Sequence, residues 1–384
     1  MDAVEKLRNL EAYTQVEVDS PVGSPSAATV CPQNRDRGLP IQMAALPNGR
    51  RIPLLKTVLT AVCENNCSYC AFRKDRDFQR ESFQPDELAD TVMRLWRAKA
   101  IDGVFLSSGV AGGGVRTQDR LIAAAEILRL RREFSGYMHL KIMPGSEYGQ
   151  VLRSMQLADR VSVNLEAPNQ QRLNLLAPEK VFLPQLLQPL KWVDEIRRNE
   201  APDQVWKNRW PSSTTQFVVG AVGESDLELL ETAAYLHRDS HLSRVYFSGF
   251  SPVRGTPLEN HAALNPWREH RLYQADFLLR DYGFDLEDLP FQVGGDLPIE
   301  VDPKLAWARV NLSHSPVEIN LADLNELMRV PGIGPQGARA IISARRLERL
   351  RFLGDLKRLG IAAERAAPFI LFNGQRAAFQ LRLF

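Results

Sequence analysis

From about residue 52 to 290 the chain alternates short apolar runs with amphipathic segments. LLKTVLTAV (54–62), DGVFLSSG (102–109), YMHLKIMPG (137–145), RVSVNLEAP (160–168), TTQFVVGAVG (214–223) and SRVYFSGFSPVRGTP (243–257) read as strands running into loops. Between them, apolar positions recur at helical spacing, predicting helices over 85–100, 120–134, 147–156, 183–198, 225–238 and 266–283. Six strand–helix units imply a parallel sheet with helices outside it. Six rather than eight predicts an open, partial (β/α)6 TIM-like barrel, an α/β fold whose chemistry gathers at the C-terminal ends of the strands.

The flanks differ in pattern. Residues 1–50 read as an N-terminal extension: a short amphipathic helix near 2–13, then loops rich in Pro, Gly, Ser and charge. Residues 51–290 form the barrel, 291–316 a Pro-containing connector, and 317–384 a small all-α domain at the C-terminus.

Composition changes this picture only locally. The 384 residues are 44% hydrophobic and 24% charged, as in an ordinary globular protein of two or three domains. The net charge of +2 carries no message about partners. Residues 317–384, however, hold 11 Lys or Arg against 6 Asp or Glu. A basic tail fits a polyanionic partner, or equally a merely solvated surface. No run approaches about 18 uninterrupted apolar residues, and the N-terminus lacks the apolar core of a secretion signal, so no membrane partner and a cytoplasmic location are expected.

Three of the four cysteines fall within eight residues, Cys63, Cys67 and Cys70, directly after a strand. Such clustering is metal chemistry rather than a disulfide framework. Three thiolates ligate three irons of a cubane cluster and leave the fourth iron open. A structural zinc normally takes four protein ligands, so that alternative needs a distant fourth, such as Cys31 or a histidine. Cys31 lies far off in a loop and reads as a free cysteine.

The C-x3-C-x2-C spacing, with Tyr69 before the last cysteine, resembles the signature of the radical S-adenosylmethionine (SAM) superfamily. The resemblance implies a 4Fe–4S cluster on Cys63, Cys67 and Cys70, with SAM chelating the open iron. One electron, from a donor such as flavodoxin or ferredoxin, then cleaves SAM and releases a 5′-deoxyadenosyl radical. It also implies SAM contacts from Tyr69 and from the Ser108-Gly109 turn, where glycine permits close backbone approach. Asn164 and Glu166 are expected on one strand face, as ribose or methionine contacts. Lys141 is a weaker candidate, and Gly220 and Gly223 are expected near adenine. Glu224 is expected to cap the next helix, and Arg254 to meet an anionic substrate or only solvent. The run Gly112-Gly113-Gly114 reads as a flexible turn or as part of the SAM loop. No catalytic base or radical relay stands out.

At 319–342 a helix, the turn Pro331-Gly332-Ile333-Gly334 and a second helix form a helix-hairpin-helix pattern, with a weaker copy near Leu359-Gly360-Ile361. Backbone N–H groups around Gly332, Gly334 and Gly337 suit phosphate without reading sequence. Ile333 plugs the hairpin into the core, and Arg339, Arg345 and Arg346 add charge. Together the two features resemble putative DNA modification or repair radical SAM proteins, supported by REHRLYQADFLLRDYGF (268–284) and VDPKLAW (301–307). That resemblance implies a nucleic-acid partner, DNA before RNA, and association with a uracil-DNA-glycosylase-like protein. An RNA- or tRNA-modifying enzyme, and a non-catalytic iron–sulfur DNA-binding protein, remain as alternatives.

Overall fold

The computed structural model describes residues 2–14, 38–45 and 50–377. Cys31 lies outside the described residues. The chain divides into two compact units, 1–224 with 235–269 and 225–234 with 270–384.

In the first unit, helix α1 (Ala3–Thr14) buries Leu7 and Leu10. Strand β1 (Ile41–Ala45) pairs antiparallel with β2 (Arg51–Val58), inside the segment read as an extension. From β2 the sheet continues in parallel and in chain order through β3 (Gly103–Ser107), β4 (Tyr137–Lys141), β5 (Arg160–Ser162), β6 (Ser212–Val219) and β7 (Arg244–Gly249). The six parallel strands are the six expected, in the curled half-barrel of a TIM-like fold. Strand β3 is buried along its whole length, which is why its sequence is a continuous apolar run. The crossover helices are α2 (Pro85–Arg97), α3 (Gly114–Glu126), α4 (Tyr148–Leu157), α5 (Gln170–Leu176) with α6 (Gln188–Asn199), and α7 (Asp226–Asp239), whose residues 226–234 are counted with the second unit; α8 (Pro266–Asp281) follows β7, and its residues from 270 on are also counted there. Helix α2 shows the local logic: Pro85 opens it, Glu87 accepts from the Gln84 N–H at 3.3 Å, and Leu88, Val92 and Met93 form its buried stripe.

Three departures from the expected elements have local causes. Helix α3 starts at Gly114, six residues early, so the glycine run is a helix entry rather than a flexible turn. A Cβ on Gly114 would lie 1.8 Å from the Pro144 carbonyl oxygen, and only glycine fits that approach. Helix α5 was not foreseen; Asn169 caps it by accepting from the Arg172 N–H. Strand β5 stops at Ser162 because the Thr215 hydroxyl enters the ladder, donating to the Val163 carbonyl at 2.7 Å and accepting from the Leu165 N–H at 3.2 Å. Asn164 and Glu166 therefore lie beyond the strand, and strict alternation does not govern them.

The second unit contains α9 (Pro303–Asn311), β8 (Val317–Glu318), α10 (Leu324–Arg329), α11 (Pro335–Arg345), α12 (Leu353–Arg358), α13 (Ala363–Ala366), β9 (Ile370–Phe372) and β10 (Gln375–Arg376). The helical module thus also carries a three-stranded sheet, order β10-β9-β8, too short to leave a periodic trace. Helices α10–α11 and α12–α13 make the two hairpins, around a core that includes Ile319, Leu327, Ile333, Ile341 and Leu356. Trp307 of the connector packs edge-on against Phe284 at 5.3 Å. Among the described residues no helix is long and apolar enough to cross a membrane.

A buried arginine ties the floor of the sheet together. Arg129 donates to the carbonyls of Leu157, Phe134 and Gly136 and pairs with Asp159 at 2.8 Å, with its side chain 1% exposed. Arg129→Met would strand three carbonyls and remove one of the two cations on the buried Asp159 carboxylate, which keeps Lys207 at 2.8 Å. Urea unfolding is expected to register a loss of about 3–5 kcal/mol.

Candidate functional site

The C-terminal ends of all six parallel strands open onto one cavity, and the cysteine loop forms its wall. Residues lining it include Thr57 near the end of β2, Ser108 and Gly109 after β3, Lys141 at the end of β4, Asn164 and Glu166 after β5, Gln216 on β6 and Ser248 on β7. Cys63, Cys67, Tyr69 and Cys70 line it as well.

Main-chain bonds lace the loop to the sheet. Gly109 N–H donates to the Thr60 carbonyl, Leu59 N–H to Ser107, and Glu64 N–H to Val110, each at 2.8 Å. A Cβ on Gly109 would lie 2.4 Å from the Val62 carbonyl oxygen. Gly109 is therefore required first for the approach of two protein backbones. The Glu64 carboxylate accepts from Gly112 and Gly113, at 3.1 and 3.0 Å, fixing the glycine run. On the other side Ser68 N–H donates to Leu176, and the Asn66 N–H to the Glu179 carboxylate at 2.7 Å. Arg80 closes the loop from below, donating to the carbonyls of Ala61, Phe72, Arg73, Lys74 and Arg76.

Electrostatics converge on a pair that the sequence reading only half found. Glu166 is 3% exposed, adopts a left-handed φ of 66°, and accepts from Lys180 at 3.0 Å. Its other carboxylate oxygen is buried without a hydrogen bond among the described residues. Burial pushes the Glu166 carboxyl up, but the ammonium groups of Lys180 and Lys141 outweigh it and hold the group below its ordinary value. Burial likewise opposes the charge on Lys180, yet Glu166 keeps it raised and protonated. The Tyr69 phenol, buried beside Glu166, is pushed well up. Lys180 was missed because it stands in a loop after α5. Its one signal is a charged pair, Glu179-Lys180, set between apolar runs in LLAPEKVFL.

Burial also raises the thiols, Cys70 to about 12 and Cys67 in the same direction. They are free cysteines facing an apolar cavity, and the Lys180 cation partly offsets that cost. Among the described residues no histidine lines the cavity. Among the described residues no three His, Cys, Asp or Glu side chains converge to hold a single ion. A donor set giving one thiolate to each of three irons suits a cubane cluster, with no fourth ligand supplied among the described residues.

Other expected residues fall elsewhere. Gly220 and Gly223 do not line the cavity; their φ values of 88° and 72° shape the turn after β6. Glu224 is buried and accepts from the N–H groups of Gly220 and Val222, so it closes that turn instead of capping α7. Arg254 is exposed. In the second unit, Ile333 is 1% exposed in the core, while Gly332 has φ 87° and would place a Cβ 2.6 Å from the Ala362 carbonyl oxygen. Gly334 is the N-cap of α11. Gly337 lets α11 approach Ile361, where a Cβ would lie at 3.1 Å. Arg339 and Arg346 are exposed, whereas Arg345 is committed to the carbonyls of Ile319 and Ala322.

Residues 57–236 match the model of the radical SAM superfamily, and residues 313–371 that of the helix-hairpin-helix motif. The chain carries a radical SAM superfamily domain followed by a helix-hairpin-helix motif. Members of that superfamily are enzymes that use a 4Fe–4S cluster and SAM, and residues 57–236 are similar to them. It is 26% identical over 220 residues to 7,8-didemethyl-8-hydroxy-5-deazariboflavin synthase of Methanosarcina barkeri, covering 53% of this chain and 62% of that protein. It is 24% identical over 202 residues to threonylcarbamoyladenosine tRNA methylthiotransferase of Thermotoga maritima, covering 51% of this chain and 43% of that one. The chain thus spans less than two thirds of either relative. Among solved structures, methylornithine synthase aligns with a TM-score of 0.47 at 13% identity, over 72% of this chain and 68% of that one.

Lys180→Met would leave the Glu166 carboxylate buried without its cation. The expected cost is about 3–5 kcal/mol in chemical denaturation, partly recovered in the double variant with Glu166→Gln. Arg80→Met would release the loop that carries the cysteines. After anaerobic reconstitution that variant should retain clearly less iron per chain than the parent, by colorimetric assay, with an unchanged far-ultraviolet dichroism spectrum.

Proposed function

We propose that this chain acts on nucleic acid, most readily DNA, in a modification or repair reaction that begins with hydrogen abstraction. The observation that carries the reading is the conjunction of the open-iron cysteine loop with a phosphate-suited hairpin in the same chain. The cluster and SAM supply the 5′-deoxyadenosyl radical. Cys63, Cys67 and Cys70 would hold the cluster. Lys141, Asn164 and Glu166 would orient SAM, with Ser108 and Gly109 at the adjoining turn. The walls of the cavity keep water from the reacting groups. One electron per cleavage would come from an external donor of the flavodoxin or ferredoxin kind.

At the hairpin, the N–H groups of Gly334, Gln336 and Gly337 open α11 with no earlier turn to accept them. The helix dipole adds to their attraction for a phosphate. Exposed Arg339 and Arg346 extend the positive surface. These contacts hold a backbone without reading sequence.

RNA is the second reading. It is favoured by the likeness to a relative whose name specifies tRNA methylthiolation. Nucleoside mass spectrometry after anaerobic turnover on plasmid DNA and on bulk tRNA separates the two. The DNA reading expects a SAM-dependent mass change only in the first; a change confined to tRNA reverses the assignment.

Two further outcomes are expected. Reduced, reconstituted protein should convert SAM to 5′-deoxyadenosine, and Cys70→Ser should abolish this; no product from intact protein would leave a non-catalytic DNA-binding protein. Gly332→Ala combines a left-handed φ with a steric clash. It should weaken duplex binding at least tenfold in an anisotropy titration while 5′-deoxyadenosine formation without nucleic acid persists.

A further inference from the structure

We propose that the cavity beside the hairpin holds an unpaired nucleotide, with its phosphate on Lys304 and its base against Phe277 and Tyr282. This rests on the reading that the hairpin binds nucleic acid, and it adds a site that no part of the motif contains.

The cavity measures about 390 Å3 and lies wholly in the second unit. Helix α8 and its end supply Gln274, Phe277, Leu278 and Tyr282; the start of α9 supplies Asp302 and Lys304; α13 supplies Arg365. Cavity and hairpin share a residue. The Lys304 ammonium donates to the carbonyl of Ile333, the middle of the hairpin, at 2.6 Å. The same ammonium stands 4.6 Å from the centroid of the Tyr282 ring. The Tyr282 hydroxyl in turn would be 3.2 Å from a Cβ on Gly334.

The charges do not balance there. Asp302 is the carboxylate of the cavity, and Arg365 already pairs with it at 2.6 Å. Asp302 also accepts from the Leu305 N–H at 2.8 Å, capping α9. Lys304 has no carboxylate at ion-pair distance among the described residues. One hydrogen bond to Ile333 uses one of its three donors. Burial, only partly opposed by Asp302 and reinforced by Arg365, depresses its pKa to about 7. An anion placed beside the ammonium would reverse that depression. A phosphate is the anion that the neighbouring hairpin is built to deliver.

The apolar wall says what accompanies the phosphate. Phe277 is 40% exposed, with the Arg280 guanidinium 4.8 Å from its ring centroid. Aromatic faces next to cations are stacking platforms for bases. A paired duplex is convex and cannot fill a concave cavity, so the group that enters must have left the base stack. The volume is ample for one base and its sugar.

The test uses full-length protein and fluorescence anisotropy with three labelled DNA duplexes: fully paired, with one bulged adenine, and with an abasic residue at the bulge. Stacking of one base contributes about 1–3 kcal/mol, so the bulged duplex should bind roughly tenfold more tightly than the paired one. The abasic duplex should lose that gain. Phe277→Ala, at an exposed position, should abolish the preference and leave paired-duplex affinity unchanged. Lys304→Gln keeps a donor for Ile333; it should weaken binding to the bulged duplex and lower the slope of log K against log salt by about one. Competition by free deoxyadenosine monophosphate at micromolar concentration would overturn the assignment in favour of a free-nucleotide site. Equal binding of all three duplexes, or a preference that survives Phe277→Ala, overturns the cavity assignment alone. Failure of the intact protein to bind any duplex overturns it together with the nucleic-acid reading.

Discussion

The site depends on a close approach of two main chains. The segment 59–64, which delivers the cysteines, is hydrogen-bonded strand-like to the segment 107–110 beyond β3. Gly109 makes this possible, since any side chain there would collide with the Val62 carbonyl. Once that lacing is set, the direction of the cysteine loop across the mouth of the barrel is fixed. Arg80 then ties four carbonyls of the returning chain to that of Ala61 on the outgoing one. A flexible loop would lose entropy on binding a cluster; a laced one has lost it already on folding.

Behind the loop, the polar interior is organised by charge. Glu166 and Lys180 come from different loops and neutralise each other in a buried setting, beside Tyr69 and near the thiols. A buried pair of this kind contributes little to stability compared with an apolar substitute. Both residues line the cavity. One Glu166 carboxylate oxygen is buried there without a hydrogen bond among the described residues, beside the Tyr69 phenol. The left-handed backbone at Glu166 is the local strain that accompanies this placement.

The hairpin unit follows a similar economy of structure. Ile333 enters the core, Gly332 turns against Ala362, and Lys304 reaches the Ile333 carbonyl from a different helix. The turn is thereby held from both sides, and the amides of α11 keep their direction. Arg345 shows that a basic residue on such a helix need not face a ligand; its guanidinium binds two carbonyls of its own unit.

Much of this was legible in the sequence. Six parallel strands follow from period and spacing, because a strand buried on both faces must be apolar and a crossover helix must be amphipathic. The cysteine spacing carries its chemistry because three ligands within eight residues are local. The Pro-Gly-Ile-Gly turn is legible for the same reason. Non-local relations were not. The end of β5 was decided by the Thr215 hydroxyl, from a neighbouring strand. The roles of Gly109 and Gly114 were decided by backbones that approach from elsewhere in the chain. Lys180 joined the site only because the loop after α5 folds back over Glu166. Sequence by itself determined the elements and the cysteine and hairpin motifs, since each is set by neighbours along the chain. Tertiary structure alone decided which polar groups share the buried cavity, because burial and pairing are properties of groups that meet only after folding.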